Sequence, residues 1–202
     1  MPDIYPDFAS LASHARDGVD FRISLRRPAS ALAVVAPHGG GIEPGTSEIA
    51  DAVASRRHAF YAFEGLLRSG NGALHVTSTR FDEPQCLALA ASVDRVVTIH
   101  GEGSERPAAF VGGLDLELGE RIAAWLRASG FEVGMNPRLA GTEPPNLCNR
   151  GRSGSGVQLE LSVGLRRTLF RSLKAHGRRF RTRQFGLLAV ALRAALGQAD
   201  EV

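Results

Sequence analysis

An apolar run, Ala31-Leu32-Ala33-Val34-Val35-Ala36, ends at Pro37-His38-Gly39-Gly40-Gly41-Ile42-Glu43-Pro44-Gly45. This junction constrains the fold more than any other stretch of the chain. The run has the length and composition of a buried strand, and the glycines after it let the backbone turn sharply while leaving the His38 imidazole uncovered. Glu43 is near enough in sequence to fold back beside that imidazole. A second run, Arg95-Val96-Val97-Thr98-Ile99, stops at His100 and is followed by Gly101-Glu102-Gly103. Two strands that both end in His-Gly predict one shared site.

Two neutral imidazoles and one carboxylate make a three-ligand zinc set with the fourth position open to water, as catalytic zinc requires. Glu43 is the expected third ligand because it shares the turn with His38, whereas Glu48 stands where a helix begins and is read as support for the loop. Taken singly, His38 fits an ordinary glycine loop and His100 a satisfied core histidine. Their joint occurrence at strand ends, with an acid in the turn, favours a metal centre holding one zinc per chain. His75, in another strand-like segment, is assigned no essential part.

At 202 residues the chain is long enough for one well-buried α/β core, and residues 1–202 are read as a single domain. Its apolar stretches stop well short of the roughly 20 residues that span a bilayer, so no membrane partner is expected. Met1-Pro2-Asp3-Ile4-Tyr5-Pro6-Asp7 lacks the basic flank and apolar segment of a secretory signal, which predicts cytoplasmic synthesis. Cys86 and Cys148 are too few for a disulfide framework and form no CxxC pair. A monomer is expected.

Strand-like and helix-like patterns alternate along the chain, which predicts a mixed β-sheet flanked by helices. Strands are expected at Ala31–Ala36, His58–Phe63, Ala73–Ser78 and Val96–Ile99. Helices are expected from Glu48 to Ala54, from Asp82 as N-cap through Ala90, from Glu117 to Ser129 and from about Gln184 to Leu196. Trp125 fits the apolar stripe of Leu118, Ile122 and Leu126 and is read as core. Asn136 to Gly156, rich in proline and glycine, forms a loop long enough to be functional. Val157-Gln158-Leu159-Glu160-Leu161-Ser162 alternates apolar and polar residues, the pattern of a half-buried strand.

Glu160 on that strand is the candidate for a base that is not itself a ligand, taking a proton from water and passing it to a leaving amine. Asn149 and Arg150, just before it, could orient a carbonyl and grip a carboxylate, or could hold the loop together by hydrogen bonds. The net charge is +3, and eight Lys and Arg residues with no acid lie between Arg166 and Arg183. Such a block attracts polyanions or serves as a solvated surface.

The blocks His38-Gly39-Gly40-Gly41-Ile42-Glu43-Pro44-Gly45-Thr46-Ser47-Glu48, Thr77-Ser78-Thr79-Arg80-Phe81-Asp82-Glu83-Pro84, Ile99-His100-Gly101, Val111-Gly112-Gly113-Leu114-Asp115, Asn146-Leu147-Cys148-Asn149-Arg150-Gly151 and Val157-Gln158-Leu159-Glu160-Leu161-Ser162 resemble, in order, the phage-type poly-γ-glutamate hydrolases. The resemblance runs from about Ala31 to Arg167. It implies a small zinc hydrolase with a fold similar to the zinc carboxypeptidases, zinc on His38, Glu43 and His100, and Glu160 as base. It also echoes the N-formylglutamate amidohydrolases. The Asn136–Pro145 loop and the arginine-rich tail have no counterpart in the pattern.

The function these features imply is hydrolysis of γ-glutamyl amide bonds in poly-γ-glutamate or another acidic γ-linked peptide. Arg166, Arg167 and the later arginines would then hold the polyanionic chain. The resemblance further implies release by host lysis if the gene is phage-borne. A zinc amidohydrolase acting on a small N-acylated acidic amino acid or a cell-wall peptide would share every metal residue. A nucleic-acid-binding protein would explain the basic block but not the paired His-Gly strand ends, and the block lacks interleaved aromatics.

Overall fold

In the computed structural model, which describes residues 3–197, seven strands form one sheet: β1 (Phe21–Arg26), β2 (Leu32–Gly40), β3 (Ala59–Gly65), β4 (Arg95–Glu102), β5 (Ala109–Gly113), β6 (Val133–Gly134) and β7 (Val157–Ser162). Met1 and Pro2 of the N-terminal segment read above lie outside the described residues. The strand order is β1-β3-β2-β4-β7-β5-β6. The central strands β3, β2, β4 and β7 run parallel, while β1 is antiparallel to β3 and β5 to β7. The sheet is therefore mixed, and the carboxyl ends of β2, β4 and β7 share one edge. In open α/β sheets that edge is where ligands bind.

Among the described residues seven α-helices flank the sheet: α1 (Phe8–Ala12), α2 (Thr46–Ala54), α3 (Pro84–Ser92), α4 (Leu116–Ala128), α5 (Val163–Leu169), α6 (Ala175–Arg178) and α7 (Arg183–Ala195). Successive strand side chains point to opposite faces. Val34, Ala36, Val97 and Ile99 therefore join a core with Ile49 of α2, Ile122 and Leu126 of α4 and Leu188 of α7. Ala33, Val35, Val96 and Tyr61 join a second core with Phe8 and Leu11 of α1 and Leu89 of α3. Strands covered on both faces must be apolar almost throughout, which explains the uninterrupted runs. No helix among the described residues is long and apolar enough to cross a membrane.

Several local expectations need correction. Ala73–Ser78 is not a strand: Asn71–Leu74 is a 3-10 turn, and Leu74 and Val76 are buried by packing against the second core rather than by a ladder. Helix α3 is capped by Glu83, whose carboxylate accepts from the Gln85 and Cys86 amides at 3.1 and 2.7 Å, while Asp82 Oδ1 instead accepts from Phe8 N at 2.6 Å. Trp125 is 46% exposed. The buried stripe of α4 includes Gly119 and Ala123 as well as Leu118, Ile122 and Leu126, so its centre lies roughly 90° from Trp125 at 100° per residue. All six residues of β7 are buried, not half of them. Of its polar face, Gln158 lies beneath the Asn136–Asn146 loop, Glu160 lines a cleft and Ser162 caps the helix that follows.

The basic block is likewise not one surface. Arg166 and Arg178 are buried, Arg178 pairs with Glu48 at 2.6 Å and Arg167 pairs with Glu105. Among the described residues Arg171, Lys174, Arg179, Arg181 and Arg183 are exposed or half-buried without a carboxylate partner.

Candidate active site

The loop after β2 is shaped by what its residues lack. Pairing between β2 and β3 shifts register between Ala36 and Gly39, across Pro37 and His38. Proline has no N–H for the ladder, and an irregularity of this kind re-aims the next side chain. Gly40 has φ +65°, and a Cβ there would stand 2.5 Å from the Gly65 carbonyl oxygen, so only glycine fits. The Glu43 N–H then donates to the His38 carbonyl at 2.8 Å, bringing the carboxylate back over the strand end.

Donor atoms of three residues converge there. His38 Nδ1 lies 3.2 Å from Glu43 Oε1 and 3.1 Å from His100 Nδ1, and His100 Nδ1 lies 3.7 Å from Glu43 Oε2. Donors bonded at about 2.0–2.1 Å to a tetrahedral cation stand roughly 3.3 Å apart. The outer ring nitrogens support this reading. His38 Nε2 is 2.8 Å from the Val76 carbonyl oxygen, which can only accept, so Nε2 carries the hydrogen and Nδ1 presents its lone pair. His100 Nε2 is 3.2 Å from Ser78 Oγ, a hydroxyl that orients the ring but can donate or accept, so this contact does not set which ring nitrogen carries the hydrogen. The donor set therefore fits a divalent cation.

His75 adds a fourth candidate. Its ring centroid is 3.9 Å from that of His38, its Nε2 is 3.9 Å from Glu43 Oε1, and its Nδ1 is 2.6 Å from Asp3 Oδ1. His38, Glu43 and His75 also form a group able to hold a metal ion. His75, assigned no essential part from the sequence, is therefore the alternative to His100 in the donor set. Its only sequence signal was its place just before Thr77-Ser78-Thr79.

Glu160 is paired in register with His100 across β4 and β7 and is buried. Gln158 Nε2 donates to Glu160 Oε1 at 3.0 Å. The two central carboxyls are tuned apart. Burial pushes Glu43 up, but the His38 and His100 imidazoles outweigh it and hold Glu43 well below the usual carboxylate range. Burial pushes Glu160 up, Glu43 adds to the rise, and His100 only partly opposes it. Burial lowers His100 while Glu160 and Glu43 raise it, with a net rise. Burial lowers His75, and His38 repels its charged form. One permanently charged carboxylate beside one poised to exchange a proton is a recurrent catalytic pattern. A cleft of about 410 Å³ opens over the group, walled by Pro137–Glu143.

The three residues expected to bind substrate are elsewhere. Asn149 is buried, its amide donating to the Gly141 and Glu143 carbonyls at 2.8 and 3.0 Å and its oxygen accepting from Gly156 N at 3.2 Å. Arg150 donates to the Pro145 and Thr79 carbonyls at 2.9 and 3.1 Å. Both hold the long loop, which is the alternative their positions had left open. Arg166 is buried and gives its guanidinium to Leu161 O at 3.1 Å, Pro44 O at 2.9 Å and Glu102 O at 3.0 Å. It ties the ends of β7, the ligand loop and β4, and none of the three lines the cleft. The arginine that does line it is Arg138, in a 3-10 turn the sequence did not single out.

Comparisons with known proteins agree with this architecture. Residues 5–189 match the family described as poly-gamma-glutamate hydrolase. The chain is 37% identical to the UPF0714 protein YndL of Bacillus subtilis over 83% of its own length and 67% of YndL. It is 43% identical to the SPbeta prophage-derived UPF0714 protein YoqZ of the same organism over 72% of its length and 54% of YoqZ. It thus spans about two thirds of one curated relative and about half of the other. It superposes on a bacteriophage poly-gamma-glutamate hydrolase with TM-score 0.94 at 35% identity, covering 97% of each chain. A zinc-free form of YndL superposes with TM-score 0.93 at 32% identity, covering 98% of each. Fold and relatives make this chain a hydrolase. It belongs to the poly-γ-glutamate hydrolase family.

The Arg166 contacts lead to a stability test. Arg166→Met should lower the unfolding free energy by roughly 3 kcal/mol or more, since it removes a buried guanidinium that donates to three carbonyls of three separate segments. Arg167→Met, which removes a surface pair, should cost about 1 kcal/mol or less. Urea denaturation of the two variants measures both, and equal small losses would return Arg166 to the surface set.

Proposed function

We propose that the chain hydrolyses γ-glutamyl amide bonds of poly-γ-glutamate with one zinc ion held by His38, Glu43 and His100. The observation that carries this reading is the convergence of two imidazole nitrogens and the two oxygens of one carboxylate, neighbours 3.1–3.7 Å apart, with the outer nitrogen of His38 spent on a carbonyl. The zinc-free state recorded for YndL supports the choice of metal. Bound there, zinc would supply Lewis-acid chemistry to water and to the scissile carbonyl.

The remaining steps belong to the chain's own groups. Glu160, raised by burial, takes the proton of the attacking water and passes it to the leaving nitrogen. Gln158 holds Glu160 Oε1, so the other oxygen is free to face the cleft. His100, with Nε2 held by Ser78, and His38, with Nε2 held by Val76, keep their Nδ1 atoms turned inward. Glu43 stays charged throughout, and the Gly101 N–H donating to Oε2 at 2.8 Å fixes its rotamer.

A second groove lies on the far side of the ligand loop. Gly40, Gly41 and Pro44 line it together with the exposed cations Arg68 and Lys174. A polymer bearing a carboxylate on every residue can cross the loop and rest there. Arg178, paired with Glu48, is no part of that grip.

Metal analysis of the purified protein should find about one zinc per chain, lost from His38→Ala and His100→Ala. His75→Gln should retain it. Retention by His100→Ala with loss from His75→Gln would make His75 the third ligand.

Glu160→Gln should keep zinc and substrate binding while turnover on poly-γ-glutamate falls roughly 100-fold or more. Turnover near that of the parent protein would remove Glu160 from the chemistry.

Cleavage of long polymer should weaken with rising salt more than cleavage of a short γ-glutamyl oligomer. Lys174→Glu with Arg68→Glu should raise KM for the long polymer alone, with little change in kcat. Identical behaviour of both substrates would make these cations ordinary surface. Cleavage of small N-acylated acidic amino acids but no polymer would favour the small-molecule amidase.

A further inference from the structure

The cleft is walled by more acid than a polyanionic substrate can tolerate without help. Glu43, Glu102, Glu143 and Glu160 all line it, and Arg138 is the one arginine or lysine among the described residues that does so. Its guanidinium is exposed and has no carboxylate or carbonyl partner among the described residues, although most arginines near the site are spent on carbonyls. Its backbone, by contrast, is fixed. Asn136 Oδ1 accepts from Arg138 N at 3.1 Å, and Leu139 N donates to Asn136 O at 2.9 Å.

The turn is also anchored to one side of the centre. The Leu139 carbonyl accepts from Gln158 Nε2 at 3.1 Å, and the same amide donates to Glu160 Oε1 at 3.0 Å. Arg138 is thus one residue from a carbonyl joined through a single amide to Glu160. Under the mechanism proposed above, Glu160 protonates the leaving nitrogen. In a γ-linked chain that nitrogen is bonded directly to the carbon carrying the leaving residue's α-carboxylate. The leaving carboxylate and Arg138 therefore fall on the same side of the cleft.

We propose that Arg138 is a specificity-determining residue that binds the α-carboxylate of the leaving residue, so that the site prefers amines bearing a free carboxylate on the adjacent carbon. The proposal rests on the γ-glutamyl hydrolase reading. A guanidinium suits the task because its two parallel N–H groups match the two carboxylate oxygens, and because carboxylates enter an acidic cleft only when paired.

The test uses two short γ-glutamyl oligomers that differ in one group: the leaving residue carries either its α-carboxylate or the α-carboxamide. The zinc-loaded parent protein should favour the carboxylate form. Arg138→Ala should lower kcat/KM on that form by about 10- to 100-fold, as for loss of a charge-assisted pair, and on the amide form by less than about 3-fold. Arg138→Lys should recover part of the loss, because it restores the charge without the fork. Equal losses on both substrates, or none on either, would overturn the assignment while leaving the γ-glutamyl reading intact. Cleavage of neither substrate by the parent protein would overturn the γ-glutamyl reading and this proposal with it.

Discussion

A carboxylate buried between two imidazoles is costly to assemble, and much of this structure is arranged around that cost. Removing the Glu43 charge from water is unfavourable unless opposite charge or hydrogen bonds replace the solvent. Here His38 and His100 approach one carboxylate oxygen each, and the Gly101 amide donates to the second. Arg166, beneath them, contributes positive charge toward Glu43 while its guanidinium bridges the ends of three neighbouring segments. A parallel sheet suits this arrangement because its strands deliver their carboxyl ends to one edge. Functional groups can then be set on rigid backbone rather than on loops.

The division of labour between carboxyls follows from the same geometry. Glu43 lies in the loop of β2 where two imidazoles can reach it, and its proton is expelled. Glu160 lies two strands further along, in register with His100 on the strand between but farther from compensating charge, and burial raises it. The difference between a fixed charge and a proton carrier is thus a difference of two positions in the strand order. Neither side chain needs unusual chemistry.

The parts of the site legible in the sequence are those carried by regular strands. His38, Glu43, His100 and Glu160 are brought together as expected, because apolar runs and a glycine turn state where a strand ends. Arg166 was misread, and Asn149 and Arg150 stayed open between substrate and loop, because residue type does not reveal which donors are spent on backbone carbonyls. Those carbonyls belong to segments far away in sequence, such as Thr79 for Arg150 and Pro44 for Arg166. His75 and Arg138 escaped for the complementary reason: each sits in an irregular segment whose position is set only by tertiary packing. Trp125 shows the limit of periodicity, since a stripe identifies a face but not which large residue lies at its margin. The basic block shows the limit of counting charges, because burial splits it into internal ties and surface cations.

Asn146 donates to Gln158 Oε1 at 2.9 Å, so both ends of the cleft wall grip the side chain that steadies Glu160. This makes the wall and the seventh strand a single engineering module. Changing the length of the Asn136–Asn146 segment, as a graft to broaden the diet would, shifts the Leu139 carbonyl and the Asn146 amide away from Gln158 and leaves a buried amide without its partners. Recombination between relatives is therefore safest at breakpoints outside residues 136–160, where loop and strand are inherited together and each keeps the neighbour it was selected with.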